Sequence, residues 1–271
     1  MIDWASAAER AATEMVSKEV GKAMGKVEDY REKLKTLDSW DGYLMQESRL
    51  PGPRANLELA FAVAQVGTAD QLLRYAAFDS VAAPSNTQEE FLPVCGVLGL
   101  GYLAARGEGE YFSMLRRSAS DPRWRIREAV ALGLQEYGRT ALDQLLEMME
   151  EWSKGTLLER RAVVASLCEP CLLTDQGHAS RIVDIIDEIT ASVPGEKDRR
   201  SAEFRVLRKG LAYGWSVAVA AQPAIGKPRM ERWIVSQDPD IRWIMKQNLK
   251  KKRLFRMDES WAKDQLEILG S

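Results

Sequence analysis

DPRWRIREAVALGLQEYG, residues 121–138, decides the fold class. Asp121-Pro122 supplies a side chain suited to capping a helix and a φ already set for its first turn. Ile126, Ala129, Val130, Leu132, Gly133 and Leu134 then give an apolar or small-residue face at helical spacing. One such helix cannot bury that face alone. Weakened copies of the stretch recur on both sides of it, so the chain reads as all-α, built from helices that bury their faces against one another.

Gly133 fixes the frame. FLPVCGVLGLGYLAA sets Gly99 and Leu100 in the places of Gly133 and Leu134. LLERRAVVASLCEP lays Arg160, Ala162, Val163, Ser166 and Leu167 over Arg127, Ala129, Val130, Gly133 and Leu134. LRKGLAYGWSVA offers Arg208, Gly214 and Trp215, and DPDIRWIMKQNL, shorter by one residue, offers Asp238-Pro239, Ile241-Arg242 and Leu249. With Ala60 as the earliest member the anchors stand at 60, 99, 133, 166, 214 and 248, separated by 39, 34, 33, 48 and 34 residues. Each interval holds two helices: an apolar helix, a glycine and a DQLL helix within 48–78 return in the same order at 132–152.

DPRWRIREAVALGL and DPDIRWIMKQNL resemble the turn and second helix of a HEAT repeat: Asp-Pro, a few variable residues, a β-branched residue followed by Arg, then spaced alanines, Leu and Gly. The resemblance covers roughly residues 50–255 and is strongest at 121–138 and 236–254. It implies a right-handed superhelical solenoid of about six helical hairpins within one domain, 1–271. In that scheme 1–47 are N-terminal capping helices (3–19 and 26–37), 48–255 the HEAT-like repeats and 256–271 a C-terminal capping helix. It also implies that the DP-x-IR helices line the concave face, with helices such as 140–152 and 179–191 behind them.

Physical reasons for the repeated residues follow from packing. Small residues at Ala129, Ala131 and Gly133 let helices approach closely, and Leu132 and Leu134 fill the seam between layers. Arg127, Arg160 and Arg242 recur at one place and are expected to pair with acids such as Asp121 or Asp238, as a ladder between repeats.

Composition bounds the function. The 271 residues carry 38 Lys+Arg against 40 Asp+Glu, a net charge of −2, which gives no bulk attraction to nucleic acid or anionic membrane. Three cysteines, an odd number, suit a reducing, cytoplasmic setting better than a disulfide framework. The first twenty residues lack the apolar core of a signal peptide, and no apolar run approaches the ~18 residues of a membrane span.

Constellations that carry chemistry elsewhere have plainer readings here. Cys168-Glu169-Pro170-Cys171 ends an apolar helix without a second CxxC, and His178 is the only histidine, so neither a metal site nor a Ser-His-Asp or Cys-His hydrolase is expected. Gly99-Leu100-Gly101 lacks a preceding strand and a following Lys-Ser/Thr; its glycines read as close-packing positions, with a turn at Gly107 and Gly109. Glu147, Glu150 and Glu151 read as a solvated helix face. No catalytic residue, metal or cofactor is expected.

Local basic clusters depart from this background. From Lys227 to Arg256 there are ten bases against three acids, a balance of +7, with Trp233 and Trp243 among them. A smaller cluster, Arg116, Arg117, Arg123, Arg125 and Arg127, surrounds Trp124. Arginine beside tryptophan serves a protein-binding hot spot and a phosphate-tracking, base-stacking surface equally. Lys250 to Arg253 also lie where cations suit a helix C-terminus and keep a terminal repeat solvated.

The expected function is a non-enzymatic binding or scaffold module that presents a concave face to a protein or peptide. Its contact residues are expected to be Arg123, Trp124, Arg127, Arg242, Trp243, Lys246 and Lys250. The alternative is a DNA-binding or alkylated-DNA repair protein resembling the HEAT-like alkylpurine glycosylases. No residue here matches that family's catalytic groups.

Overall fold

Side-chain caps set where six of the helices begin. Asn56, Asp175, Ser201 and Asp238 each accept a backbone N–H of the first turn behind them. Thr68 with Gln71, and Thr156 with Glu159, form reciprocal capping boxes. The computed structural model describes residues 25–107 and 111–270; the expected helix at 3–19 and Gly109 lie outside them. All regular structure among the described residues is helical, with no strand.

The chain divides into two compact units, the first ending at Tyr102 and the second beginning at Leu103. The first holds α1 (25–35), α2 (Asp41–Glu47), α3 (Leu57–Val66), α4 (Ala69–Ala76) and most of α5 (Phe91–Ala105). Residues 91–100 of α5 are all buried, and glycine lets α4 come close. A Cβ at Gly96 would lie 2.2 Å from the Ala76 backbone nitrogen and 2.7 Å from the Leu72 carbonyl oxygen. Asp41 ties α2 to α4, accepting from Arg74 at 2.8 and 2.7 Å and from the Tyr75 hydroxyl at 2.7 Å. Gly107, with φ +100°, takes the left-handed conformation expected at the turn after α5.

The second unit continues with α6 (Phe112–Ser118), α7 (Trp124–Gly138), α8 (Leu142–Trp152), α9 (Leu157–Leu167), α10 (Gln176–Ser192), α11 (Ala202–Ala221), α12 (Pro223–Ile234), α13 (Pro239–Leu249), α14 (Lys252–Met257) and α15 (Glu259–Gly270). Contacts run between every second helix. One row is α7, α9, α11 and α13; the other is α8, α10, α12 and α15, with adjacent helices joining the rows. The six anchors fall on α3, α5, α7, α9, α11 and α13, and all are buried. At Gly214 an added Cβ would lie 2.7 Å from Val164 Cγ1 and 2.8 Å from Cys168 Sγ, so α11 approaches α9 at contact distance. Asn248, the last anchor, is larger but saturated: its amide donates to Leu211 and Ile244 carbonyls at 2.9 Å, and its oxygen accepts from Ser216 N at 2.8 Å.

Two local expectations are corrected. Asp121 does not cap α7, which starts at Trp124 with Arg123 in the cap position and no side-chain cap. Its carboxylate is turned onto Arg123 instead, accepting from N, Nε and Nη2 at 2.8, 2.9 and 2.8 Å. Asp238-Pro239 does behave as read, accepting from Asp240 N and Ile241 N at 2.9 and 3.2 Å. The arginine ladder forms with other partners. Arg127 donates to the carbonyls of Asp121 and Pro122, Arg160 pairs with Glu196, and Arg242 reaches the Leu269 carbonyl. Asp238 goes to Arg199 and Asp240 to Arg208. Asp121 gives its carboxylate to Arg123, and Arg127 donates to backbone carbonyls instead.

Gly96→Ala is expected to lower stability by about 3 kcal/mol, because backbone atoms cannot yield to the new Cβ. Gly42→Ala, with nothing within 4 Å of an added Cβ, should gain about 0.5–1 kcal/mol; urea unfolding of both variants checks the contrast. Hydrogen bonding to Arg74 holds the Asp41 carboxyl below its ordinary value of 3.8. A depressed folded-state value contributes stability above 3.8 that is lost as pH falls through the lower value. Asp41→Asn should therefore be less stable than the parent at neutral pH, with the gap closing in acid, read from melting temperatures across a pH series.

Candidate functional site: a groove across three helices

The row α7, α9, α11 exposes a groove of about 520 Å³ whose wall is Trp124, Arg127, Glu128, Leu132 and Gln135 on α7. Arg161, Val164, Ala165, Cys168 and Glu169 from α9 and its end form the middle, and Val206, Lys209, Gly210 and Tyr213 on α11 the far side. The floor is fastened by bonds between helices. Arg161 donates to the Arg127 carbonyl at 3.1 Å and pairs with Glu128. Gln135 Nε2 donates to the Ala165 carbonyl at 2.9 Å. Burial, and then the like charge of Arg161, hold the Arg127 guanidinium below the usual arginine value.

Two aromatic side chains flank the groove with much of their surface open. Trp124 is 46% exposed and Tyr213 49%. Each has a cation on one face: Arg125 lies 4.4 Å from the Trp124 ring centroid, and Arg253 4.5 Å from that of Tyr213, to whose hydroxyl it also donates at 2.8 Å. An aromatic braced by a neighbour loses little conformational freedom on meeting a partner.

Of the expected contact residues, Trp124 and Arg127 line this groove. Arg123, four per cent exposed, is turned inward against Asp121. Arg242, Trp243, Lys246 and Lys250 belong to α13 and its end, and none lines the groove. Trp243 is half-buried, with Arg208 of α11 over its ring at 4.3 Å. Lys246 and Lys250 are exposed. The +7 stretch is partly neutralised by tertiary partners. Lys227 pairs with Asp258 at 2.6 Å, Arg229 with Asp184 at 2.7 Å and Arg232 with Asp187 at 2.7 Å, while Trp233 donates to Asp187 at 2.7 Å.

Several groove residues went unread: Arg161, Lys209, Gly210 and Tyr213. Their signal lay in the repeat frame. The residue before each anchor, Leu132, Ala165 and Tyr213, lines the groove, as does the residue five before it, Glu128, Arg161 and Lys209. These positions are four apart, one helical turn, so they share a face. Trp243 stands five before Asn248 in the same register.

Elsewhere, burial pushes the Cys168 thiol up to about 12 and raises that of Cys171, so both stand as thiols at neutral pH. His178 lies 3.1 Å from Asp143 and 3.3 Å from Asp175. Of the three glutamates read as a solvated helix face, Glu147 and Glu151 are exposed and Glu150 is half-exposed; Glu150 pairs with Arg181 at 2.8 Å and Glu151 with Arg116. No helix among the described residues is long and apolar enough to cross a membrane.

No protein-family model matches the chain, and no curated protein does.

Arg161→Ala is expected to destabilise the fold by about 1–3 kcal/mol, since it removes a charge-assisted tie between α9 and α7. Lys209→Ala, at an exposed position with no ion pair among the described residues, should stay within about 0.5 kcal/mol of the parent. Denaturant midpoints of the two variants measure this difference.

Proposed function

We propose that the chain is a non-enzymatic binding module of the HEAT type, a right-handed superhelix of helical hairpins that takes a protein or peptide segment in the α7/α9/α11 groove. The observation that carries this reading is the pair Trp124 and Tyr213, half-open aromatics flanking a floor of Leu132, Val164 and Ala165. Aromatic side chains beside an apolar floor and within reach of arginines are the usual composition of a binding hot spot. The HEAT assignment is supported by six buried anchors at roughly regular intervals on every second helix and by the DP-x-IR turn before α13. A reducing, cytoplasmic setting belongs to the same reading, supported by Cys95 and Cys168 buried as thiols.

The nucleic-acid reading draws less support. Trp243 has Arg208 stacked on it, and Lys227, Arg229 and Arg232 are held by carboxylates. A phosphate-tracking surface needs a run of cations free to displace counterions.

Affinity capture with the purified chain tests the proposal. Trp124→Ala combined with Tyr213→Ala should weaken a stoichiometric partner by at least about 30-fold, the loss expected for about 2 kcal/mol of hot-spot contact. Val81→Ala, at an 84% exposed position outside the groove, should leave binding unchanged. Retention of every partner by the double variant would place the binding face elsewhere.

A further inference from the structure

Gly210 stands in the interior of α11, where glycine costs about 1 kcal/mol relative to alanine. Packing does not explain it. At Gly214, one turn on, an added Cβ would collide with Val164 and Cys168, and the fit of α11 against α9 requires glycine. At Gly210 the nearest atoms to an added Cβ are Arg161 Cγ at 3.5 Å and Val164 Cγ1 at 4.0 Å, ordinary van der Waals separations. Its backbone is helical, so no left-handed conformation calls for glycine either. What the missing side chain does create is a notch in the groove, beside Arg161, Val164, Val206 and Lys209.

The charges around the notch are of mixed sign but unequally satisfied. The groove holds Arg127, Arg161 and Lys209 against Glu128 and Glu169. Glu128 is taken up by Arg161. Arg127 donates to two carbonyls, and the acids near it are Glu128, Glu203 and Asp121, the last itself paired with Arg123. Lys209 is exposed and makes no ion pair among the described residues. At the Tyr213 end Arg253 and Lys251 add positive charge, lying 4.5 and 5.7 Å from the ring. The excess is cationic, and too small and too interrupted by Glu128 and Glu169 to track a phosphate backbone.

We propose that the groove selects an acidic peptide segment, an aliphatic side chain of which enters the notch at Gly210 while flanking carboxylates meet Lys209 and Arg127. This rests on the groove being the binding face. Neighbouring helices pack 8–10 Å apart, so α7 to α11 spans roughly 18 Å, the length of about five or six extended residues. A segment of that size passes between Trp124 and Tyr213 with room for one apolar side chain and two or three acids.

Fluorescence anisotropy on the full chain tests the assignment with four labelled probes: Glu-Glu-Leu repeated four times, an all-Glu dodecamer, Lys-Lys-Leu repeated four times, and a dT dodecamer. The Glu-Glu-Leu peptide should bind tightest, the all-Glu peptide at least about fivefold more weakly for want of an aliphatic group. Gly210→Ala should raise the melting temperature, as a helical glycine-to-alanine change with space for the methyl does, yet weaken the Glu-Glu-Leu peptide. Gly210→Leu should fill the notch and abolish binding, and Lys209→Glu should weaken it about tenfold without loss of fold. Equal binding of the Glu-Glu-Leu peptide by all three variants, or no binding of it by the parent, would overturn the proposal. If Lys-Lys-Leu or dT binds instead and Trp124→Ala removes it, the groove stands as a binding face and the acidic ligand is wrong. If no probe depends on Trp124, Tyr213 or Lys209, the acidic-peptide assignment falls and the groove reading loses its support with it.

Discussion

Close approach of helix backbones at small, buried positions is the constraint on which the rest of the second unit depends. Gly214 admits Val164 and Cys168 to within a methyl group's width of the α11 backbone, and Ser166 and Gly133 hold the equivalent places on α9 and α7. Once these positions face a neighbouring helix, the 100° turn per residue leaves no freedom for the others. The residue before each anchor and the residue a turn earlier are carried onto the open side, where Leu132, Ala165 and Tyr213, with Glu128, Arg161 and Lys209, make the groove. The packing rule thus generates the candidate site as its by-product.

Asn248 shows what happens when the rule is met by chemistry instead of size. An amide larger than glycine occupies the anchor of α13, and its cost in burial is offset by three hydrogen bonds, two of them to α11. The arginines six before each anchor show a similar flexibility of means. Arg127, Arg160, Arg208 and Arg242 keep one register, yet they end on two carbonyls, a glutamate, an aspartate and the Leu269 carbonyl in turn. A guanidinium with five donors is served by whichever acceptor the local turn presents. Register is therefore common to the arginines, while the bonds are individual.

Charge shows the same division. Lys227, Arg229 and Arg232 are part of a conspicuous basic run in the chain, and in the folded molecule they lie against Asp258, Asp184 and Asp187. Arg123 turns inward to Asp121, while its neighbour Trp124 stays open. Alternate fates for adjacent residues are what a helix start imposes, since successive side chains point about 100° apart.

The amino-acid sequence by itself determined the all-helical character, the spacing of the anchors and the cap at Asp238. These depend on hydrophobic period and on hydrogen bonds within a few residues, both of which are local. It also marked Trp124 and Arg127 as surface residues of interest. Only the tertiary structure decided that Arg123 is buried, that Trp243 lies under Arg208, that three of the ten cations in the basic run are held by carboxylates, and that Lys209, Gly210 and Tyr213 complete a groove. The last three of those outcomes turn on a partner 30 or more residues away in the chain or on the angle at which one helix meets the next, and such distances and angles are set by packing that no local pattern encodes.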